Sequence, residues 1–301
     1  MPAPRIVSLI PSGTDMLAEV GLAQSVVGVS HQCDHPLAED KPVVTSSAIP
    51  VAGEGGPGTS SPADVDRAVS RAVQAGQPLY RTDRDLLAQL APDVVLAQDV
   101  CDVCAVGSDQ VRGVLPPGAE LVTLEATTLS GLEEDLVRLG KATGAEEQAA
   151  AALTRMREAL RAVGQAVAGR PRRQVLVLEW GDPPFLGGHW VPELVEVAGG
   201  SHLLSSTGQA SRRASWEEIV AARPEAVVFA PCGYTLAAAE EEARGLRGRL
   251  SPTTELWACH ATALFSRCTP GAVADAVRLL AGTLHPAVSP SPPAERAVRL
   301  R

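Results

Sequence analysis

The feature that most narrows what this chain can fold into is a proline-free stretch near its midpoint. Residues 145–168 set apolar side chains at helical spacing among alanine, arginine and glutamate, interrupted by one glycine, Gly164. Gly169, Arg170 and Pro171 then stop the run. About 24 residues rising 1.5 Å each make a single rod of roughly 36 Å. On both sides of it the chain repeats one motif, a short apolar strand followed by a turn and a helix. Before the rod, strands are expected over 5–10, 26–29, 93–97 and 120–124, with helices over 14–20, 65–73, 83–90 and 130–141. Ser12 with Asp15, and Ser130 with Glu133, stand at capping-box spacing. After the rod come a strand over 174–179, a helix over 191–197 closed by Gly199 and Gly200, and a helix from Ser215 with Glu218 as its capping box. A strand over 226–230 and helices over 236–244 and 272–281 complete the series.

Strands alternating with helices favour parallel sheets. The expected architecture is therefore α/β: two Rossmann-like lobes with parallel sheets joined by a single long backbone helix. The boundaries are 1–144 for the N-terminal lobe, 145–169 for the connecting helix and 170–285 for the C-terminal lobe. Residues 286–301, rich in proline, serine and arginine, are expected to fray.

Charge and composition exclude several partners. Thirty-five acidic against 26 basic side chains give a net charge of −9 in 301 residues, a field that repels phosphate backbones, so no nucleic-acid partner is expected. No apolar run approaches the roughly 18 residues of a membrane span. The first ten residues lack the apolar core of an export signal, and the six cysteines are few and irregularly spaced. The expectation is a cytoplasmic protein whose cysteines are free thiols or metal ligands rather than disulfides. Aromatic residues make up only 3% of the chain, and all except Tyr80 lie at or beyond Trp180, so a ring surface for a ligand must come mainly from the second half.

Gly53–Gly58 matches G-x-G-x-x-G as text, but it follows no strand, contains Pro57 and opens no helix, so it reads as a loop. Two clusters say more: His31 and Cys33 in SHQCDHP (30–36), and Cys101 and Cys104 in QDVCDVCA (98–105). Each follows an expected strand, and the carboxyl ends of strands form the ligand edge of an α/β sheet. With Cys232 they are candidate ligands for zinc or iron; the competing reading makes Cys101 and Cys104 small buried residues or a redox pair. In the second half, Trp180, Phe185, His189 and Trp190 share one Gly/Pro-held loop. They form either a flat-ring platform with an imidazole able to ligate a metal, or a plug in the core. Cys232 and Tyr234 follow another strand, and Phe265 is either a further wall or core.

These residues resemble a known family, the substrate-binding proteins that serve ABC importers of vitamin B12, haem and ferric siderophores. The resemblance rests on RIVSLIPSGT (5–14), VGVS (27–30), LAPDVV (90–95), the midpoint helix, SWEEI (215–219), RPEAVVF (223–229) and the last helix before His285, covering residues 5–286. The two cysteine loops, the Trp180–Trp190 loop with VPEL (191–194), and PCG (231–233) look like a cobalamin-binding subgroup that lacks an export signal. Asp15 stands where the family usually has glutamate, and FSRCTP (265–270) where it has FSRPGP. The resemblance implies a non-enzymatic protein that holds a cobalamin-like corrinoid or other metal chelate in the interlobe cleft. Trp180, Phe185 and Trp190 would stack on that small-molecule ligand, Tyr80 and Phe265 would contribute walls, and His189 or His31 would approach the metal. An ABC transporter permease is the partner class it implies. The rival is a cytosolic metalloprotein or enzyme reusing the fold, with zinc or iron held by His31, Cys33, Cys101, Cys104 and Cys232.

Overall fold

The computed structural model describes residues 3–48, 62–100, 105–262 and 264–301. The chain divides into two compact units, Met1–Ala126 with Ser130–Leu153, and Thr127–Leu129 with Thr154–Arg301.

The first unit contains β1 (Ile6–Ser8), α1 (Pro11–Glu19), β2 (Val26–Val29), β3 (Thr45–Ser47), α2 (Pro62–Gln74), β4 (Tyr80–Thr82), α3 (Arg84–Leu90), β5 (Val94–Gln98), α4 (Ser108–Arg112), β6 (Glu120–Leu124) and α5 (Leu129–Thr143). Its main sheet is wholly parallel, in the order β2-β1-β5-β6. The inner strands β1 and β5 are buried at every residue; a parallel strand covered on both faces needs an unbroken apolar run, and Val94–Ala97 is one. One face packs Val7, Leu9, Val95 and Ala97 against Leu87 of α3 and Val111 of α4. Asp83 caps α3 by accepting the Leu86 N–H at 2.9 Å. The capping expected at Ser12 is corrected: α1 starts at Pro11, whose missing N–H needs no partner in the first turn, and Ser12 lies inside the helix. Helix α5 likewise begins at Leu129, which puts Ser130 inside its first turn. An antiparallel ribbon of β3 and β4, pairing Thr45 with Thr82 and Ser47 with Tyr80, has no counterpart in the sequence expectations.

Helix α6 (Glu146–Val167) begins in the first unit and ends in the second. Ala149, Ala152, Leu153, Met156, Ala159 and Val163 form its buried stripe, the helical spacing visible in the sequence. The second unit then contains β7 (Arg173–Gly181), β8 (Pro184–Leu186), α7 (Val191–Val197), β9 (Gly200–His202), β10 (Arg212–Arg213), α8 (Trp216–Ala221), β11 (Ala226–Phe229), α9 (Leu236–Leu246), β12 (Glu255–Cys259), α10 (Pro270–Leu284) and β13 (Ala297–Arg299). Its sheet has a parallel centre, β9-β7-β11-β12, to which β8, β10 and β13 add antiparallel pairings. Leu176, Leu178, Leu186, Val227, Phe229 and Leu256 of the sheet pack with Ile219 of α8 and Ala239, Ala243 and Leu246 of α9. Ser215 caps α8 through the Glu218 N–H, as its spacing predicts.

The fraying expected of the tail is corrected. Residues 297–299 pair antiparallel with β12, and Leu300 is buried in the same core as Phe229. Main-chain pairing and one apolar side chain outweigh a polar composition. Among the described residues, no helix is long and apolar enough to cross a membrane.

Candidate functional site

In the first unit the chain leaves β2 into Ser30, His31, Gln32 and Cys33. The His31 N–H donates to Thr45 Oγ1 at 3.0 Å, and His31 Nδ1 lies 2.7 Å from the same oxygen. Thr45 Oγ1 donates its own hydrogen to Ser30 Oγ at 3.2 Å. The hydroxyl can therefore only accept from the imidazole, which assigns the ring proton to Nδ1 and leaves Nε2 with its lone pair. Burial holds the His31 pKa below its ordinary value and favours this neutral form. A neutral imidazole fixed through Nδ1 is equipped to ligate a metal or accept a hydrogen bond. The β3–β4 ribbon brings Tyr80 to the same place: its ring lies 5.6 Å from that of His31, and its hydroxyl accepts from Gln32 Nε2 at 3.1 Å. Cys33 is a half-buried free thiol. Cys101 and Cys104, and the glycine-rich Gly53–Gly58, lie outside the described residues. At the end of β5, Asp99 accepts from the backbone and hydroxyl of Ser108 at 2.9 and 2.5 Å.

In the second unit β7 turns into β8 through Asp182 and Pro183. The pairing is irregular: Leu178 faces Leu186, but Trp180 faces Phe185, so Glu179 is one residue extra on β7. The bulge changes the strand's parity. Without it Trp180 would share the face of Leu178, which is core; with it Trp180 joins the face of Phe185. Arg213 of β10 lies directly opposite Phe185 in turn, with its guanidinium 5.4 Å from the ring centre. Tyr234, beyond β11, packs edge-on against Trp180 at 5.5 Å. Trp180, Phe185 and Tyr234 are all half-buried.

His189 follows in a left-handed backbone conformation, φ 53°, unusual for a residue with a side chain. Two main-chain bonds to the segment after β9 hold it there, His189 N–H to Gln209 O at 2.6 Å and Gly208 N–H to His189 O at 2.9 Å. Its ring stacks on Trp190 at 5.8 Å, and burial lowers its pKa. Buried His189 Nδ1, Trp190 Nε1 and Trp180 Nε1 have no hydrogen-bond partner. Trp190 at 8% and Phe265 at 2% exposure are enclosed side chains, so Trp190 acts as a backing for His189. Cys232 carries an exposed thiol. His31 and Cys33 belong to one unit and Cys232 to the other. Among the described residues, no three His, Cys, Asp or Glu side chains are grouped to hold a metal ion.

One residue at this edge escaped sequence reasoning. Glu242 of α9 sits among Ala239, Ala243 and Leu246, on the helix stripe that faces the sheet, and this spacing was its only signal. Its carboxylate accepts from the Tyr234 hydroxyl and occupies the space that a Cβ on Gly181 would fill. Burial, and secondarily the nearby Asp182, push its pKa up against the lowering effect of Tyr234; burial and the same carboxylate push the tyrosine's up. A raised carboxyl pKa means the folded state holds this proton more tightly than the unfolded chain. That contribution is complete below the ordinary glutamate range and is lost as pH rises through the raised value. Glu242→Gln keeps the acceptor and removes the ionisation. The expected result is a variant at least as stable as the parent above neutral pH, with a smaller drop in urea midpoint from pH 4.5 to 8; an equal drop in both proteins contradicts it.

Both units are α/β with parallel-centred sheets; the first holds His31 beyond β2 against Tyr80 of the β3–β4 ribbon, and the second holds Trp180 in β7 against Tyr234 beyond β11, with His189 further on. Residues 6–246 match the periplasmic binding protein family, and the chain belongs to it. Its fold is shared by the periplasmic vitamin B12 binding protein BtuF of Vibrio cholerae, at a TM-score of 0.68 and 19% identity over 95% of this chain and 98% of that one. A periplasmic haem-binding protein from Pseudomonas aeruginosa is similar at a TM-score of 0.67 and 19% identity, covering 99% and 98%. An ABC transporter substrate-binding protein from Listeria monocytogenes EGD-e is similar at 0.69 and 15% identity, covering 94% and 99%. No curated protein sequence matches the chain significantly.

Proposed function

We propose that this chain binds a metal chelate of the corrinoid or porphyrin type and serves an ABC importer as its substrate-binding protein. The observation that carries the reading is the row of partly exposed rings, Tyr234, Trp180 and Phe185, at the end of β7, with His189 held beside Trp190. Flat rings suit a flat macrocycle, and the named ligands of the fold relatives, vitamin B12 and haem, are both of that kind. In the first unit His31 Nε2 offers a lone pair suited to a chelated metal, next to Tyr80.

The test is titration of the protein with cyanocobalamin, cobinamide and haemin, read by tryptophan fluorescence and absorbance. Saturable binding of at least one is expected, and Trp180→Ala should weaken it about tenfold, the order of a lost ring stack with its buried area. Purified protein that carries stoichiometric zinc or iron and binds none of the three overturns the reading in favour of a thiol and imidazole metal site.

A further inference from the structure

We propose that the Thr45 hydroxyl is the positioning group that presents His31 as an axial ligand, so that the chelate this chain selects is one whose metal carries an exchangeable axial position; the inference rests on the chelate reading above. A hydroxyl has one hydrogen and two lone pairs, and Ser30 and His31 use all three. The hydrogen goes to Ser30 Oγ at 3.2 Å, and the lone pairs take the His31 main-chain N–H at 3.0 Å and its ring Nδ1–H at 2.7 Å. One oxygen thus fixes both the backbone and the imidazole of the same residue. Ser30 Oγ is itself held by the Gln32 N–H at 3.3 Å. Thr45 is 5% exposed and paired with Thr82 in the β3–β4 ribbon. The Val44 N–H donates to Val29 O at 2.8 Å, which ties the residue before β3 to the end of β2, where the chain departs for His31.

The ring proton of His31 is therefore committed to Thr45, and its Nε2 lone pair takes part in no hydrogen bond among the described residues. Other imidazoles are spent differently. His35 accepts the Leu37 N–H at Nδ1 at 3.1 Å, which puts its proton on Nε2; His202 gives Nε2 to the Val177 N–H at 3.3 Å; His285 Nε2 donates to Gly199 O at 3.1 Å. A neutral imidazole that donates through Nδ1 is more basic at Nε2 and has its orientation set, which strengthens a histidine–metal bond. A corrinoid or porphyrin fills four coordination positions in its plane and leaves the axial ones to solvent or protein. His31 Nε2 can replace a water there. It cannot displace two tightly held axial cyanides, and it gains nothing from a macrocycle that holds no metal. Thr45 thus sets a selectivity without itself touching the ligand.

The experiment uses two ligand pairs that differ in axial availability, haemin against metal-free protoporphyrin and diaquacobinamide against dicyanocobinamide. Wild type is expected to bind the first member of at least one pair about tenfold more tightly than the second, with the absorbance spectrum of an imidazole-bound metal. His31→Ala should abolish both the preference and the spectrum. Thr45→Val, which keeps the shape and loses the hydroxyl, should remove most of the preference and leave the second members unchanged, and Thr45→Ser should restore it. Thermal melting checks each fold. Nitrogen NMR of the wild-type imidazole reads the proton position without any variant: a protonated Nδ1 at neutral pH is expected, and a proton on Nε2 alone overturns the proposal. Equal affinity within both pairs overturns it while the chelate reading stands. So does Thr45→Val with wild-type affinity and spectrum, which marks Thr45 as packing. No binding of any of the four compounds overturns the chelate reading and this proposal with it.

Discussion

Gly282→Ala is expected to lift the C-terminal segment off the second unit. A methyl group at this position in α10 would land on the carbonyl oxygen of Pro290, with the Pro290 carbonyl carbon at 3.1 Å and Pro292 Cδ at 3.2 Å behind it. The obstructing atoms are backbone and a ring, so no side-chain rotation relieves the clash. Helix α10 has little room to retreat, because Val277 and every residue from Leu279 to Leu284 are buried. The segment after His285 must therefore move, and with it go the β12–β13 pairing, the buried Leu300 and the two bonds from Arg301 to Ser251 O and Arg247 O, each 2.7 Å. Overpacking and a displaced apolar side chain together put the loss at about 3 kcal/mol. Urea unfolding measures it, and limited proteolysis localises it: the parent's C-terminus should resist trimming, and the variant's should not. Identical digestion patterns would refute the docking of this segment.

Asp135→Ala is expected to cost the first unit a similar amount, for an electrostatic reason. Asp135 lies on the buried stripe of α5, between Leu132 and Leu136, and is 1% exposed. Its carboxylate accepts the Glu125 and Ala126 N–H groups, both at 2.9 Å, and pairs with Arg138. It thus ties the carboxyl end of β6 to the helix that follows. Burial opposes its ionisation more than these donors favour it, so its pKa is raised. Alanine would strand two main-chain donors, at about 3 kcal/mol in total, while Arg138, 44% exposed, keeps Glu125 at 3.7 Å. Asp135→Asn, which retains one good acceptor, should lose less. Chemical denaturation of the three proteins at neutral pH gives the comparison, and an alanine variant as stable as the parent would defeat the account.

What could be read from the sequence, and what could not, divides along physical lines. Apolar periodicity located β2, β6 and α7 at their observed limits, and the long proline-free helical pattern located α6 within a residue at each end. Local chemistry also worked where the cap acts on its own helix, as at Ser215. Features fixed by distant partners stayed hidden. Ser12 has capping spacing, yet Pro11 begins the helix before it. The tail has the composition of a loose end, yet it docks through the β12–β13 pairing and the fit of Gly282 against Pro290. Among the candidate site residues, His31 and Tyr80 meet through a β3–β4 ribbon whose strands lie far apart in the chain. The Trp180–Trp190 loop was recognisable as a ring cluster, but which rings stay exposed depends on a register shift that composition does not encode. Glu242 is legible only from the face its helix turns inward.

The extra residue in β7 separates two kinds of inheritance within one strand. From Val175 to Leu178 each position is buried, where a change of one methylene is felt. Past Glu179 the alternation restarts on the opposite face, which Trp180 shares with Phe185 and Arg213. On the chelate reading proposed above, substitution at Trp180 and Phe185 changes ligand preference while the hydrophobic centre of the unit is copied unchanged, and a fold is kept through successive changes of cargo.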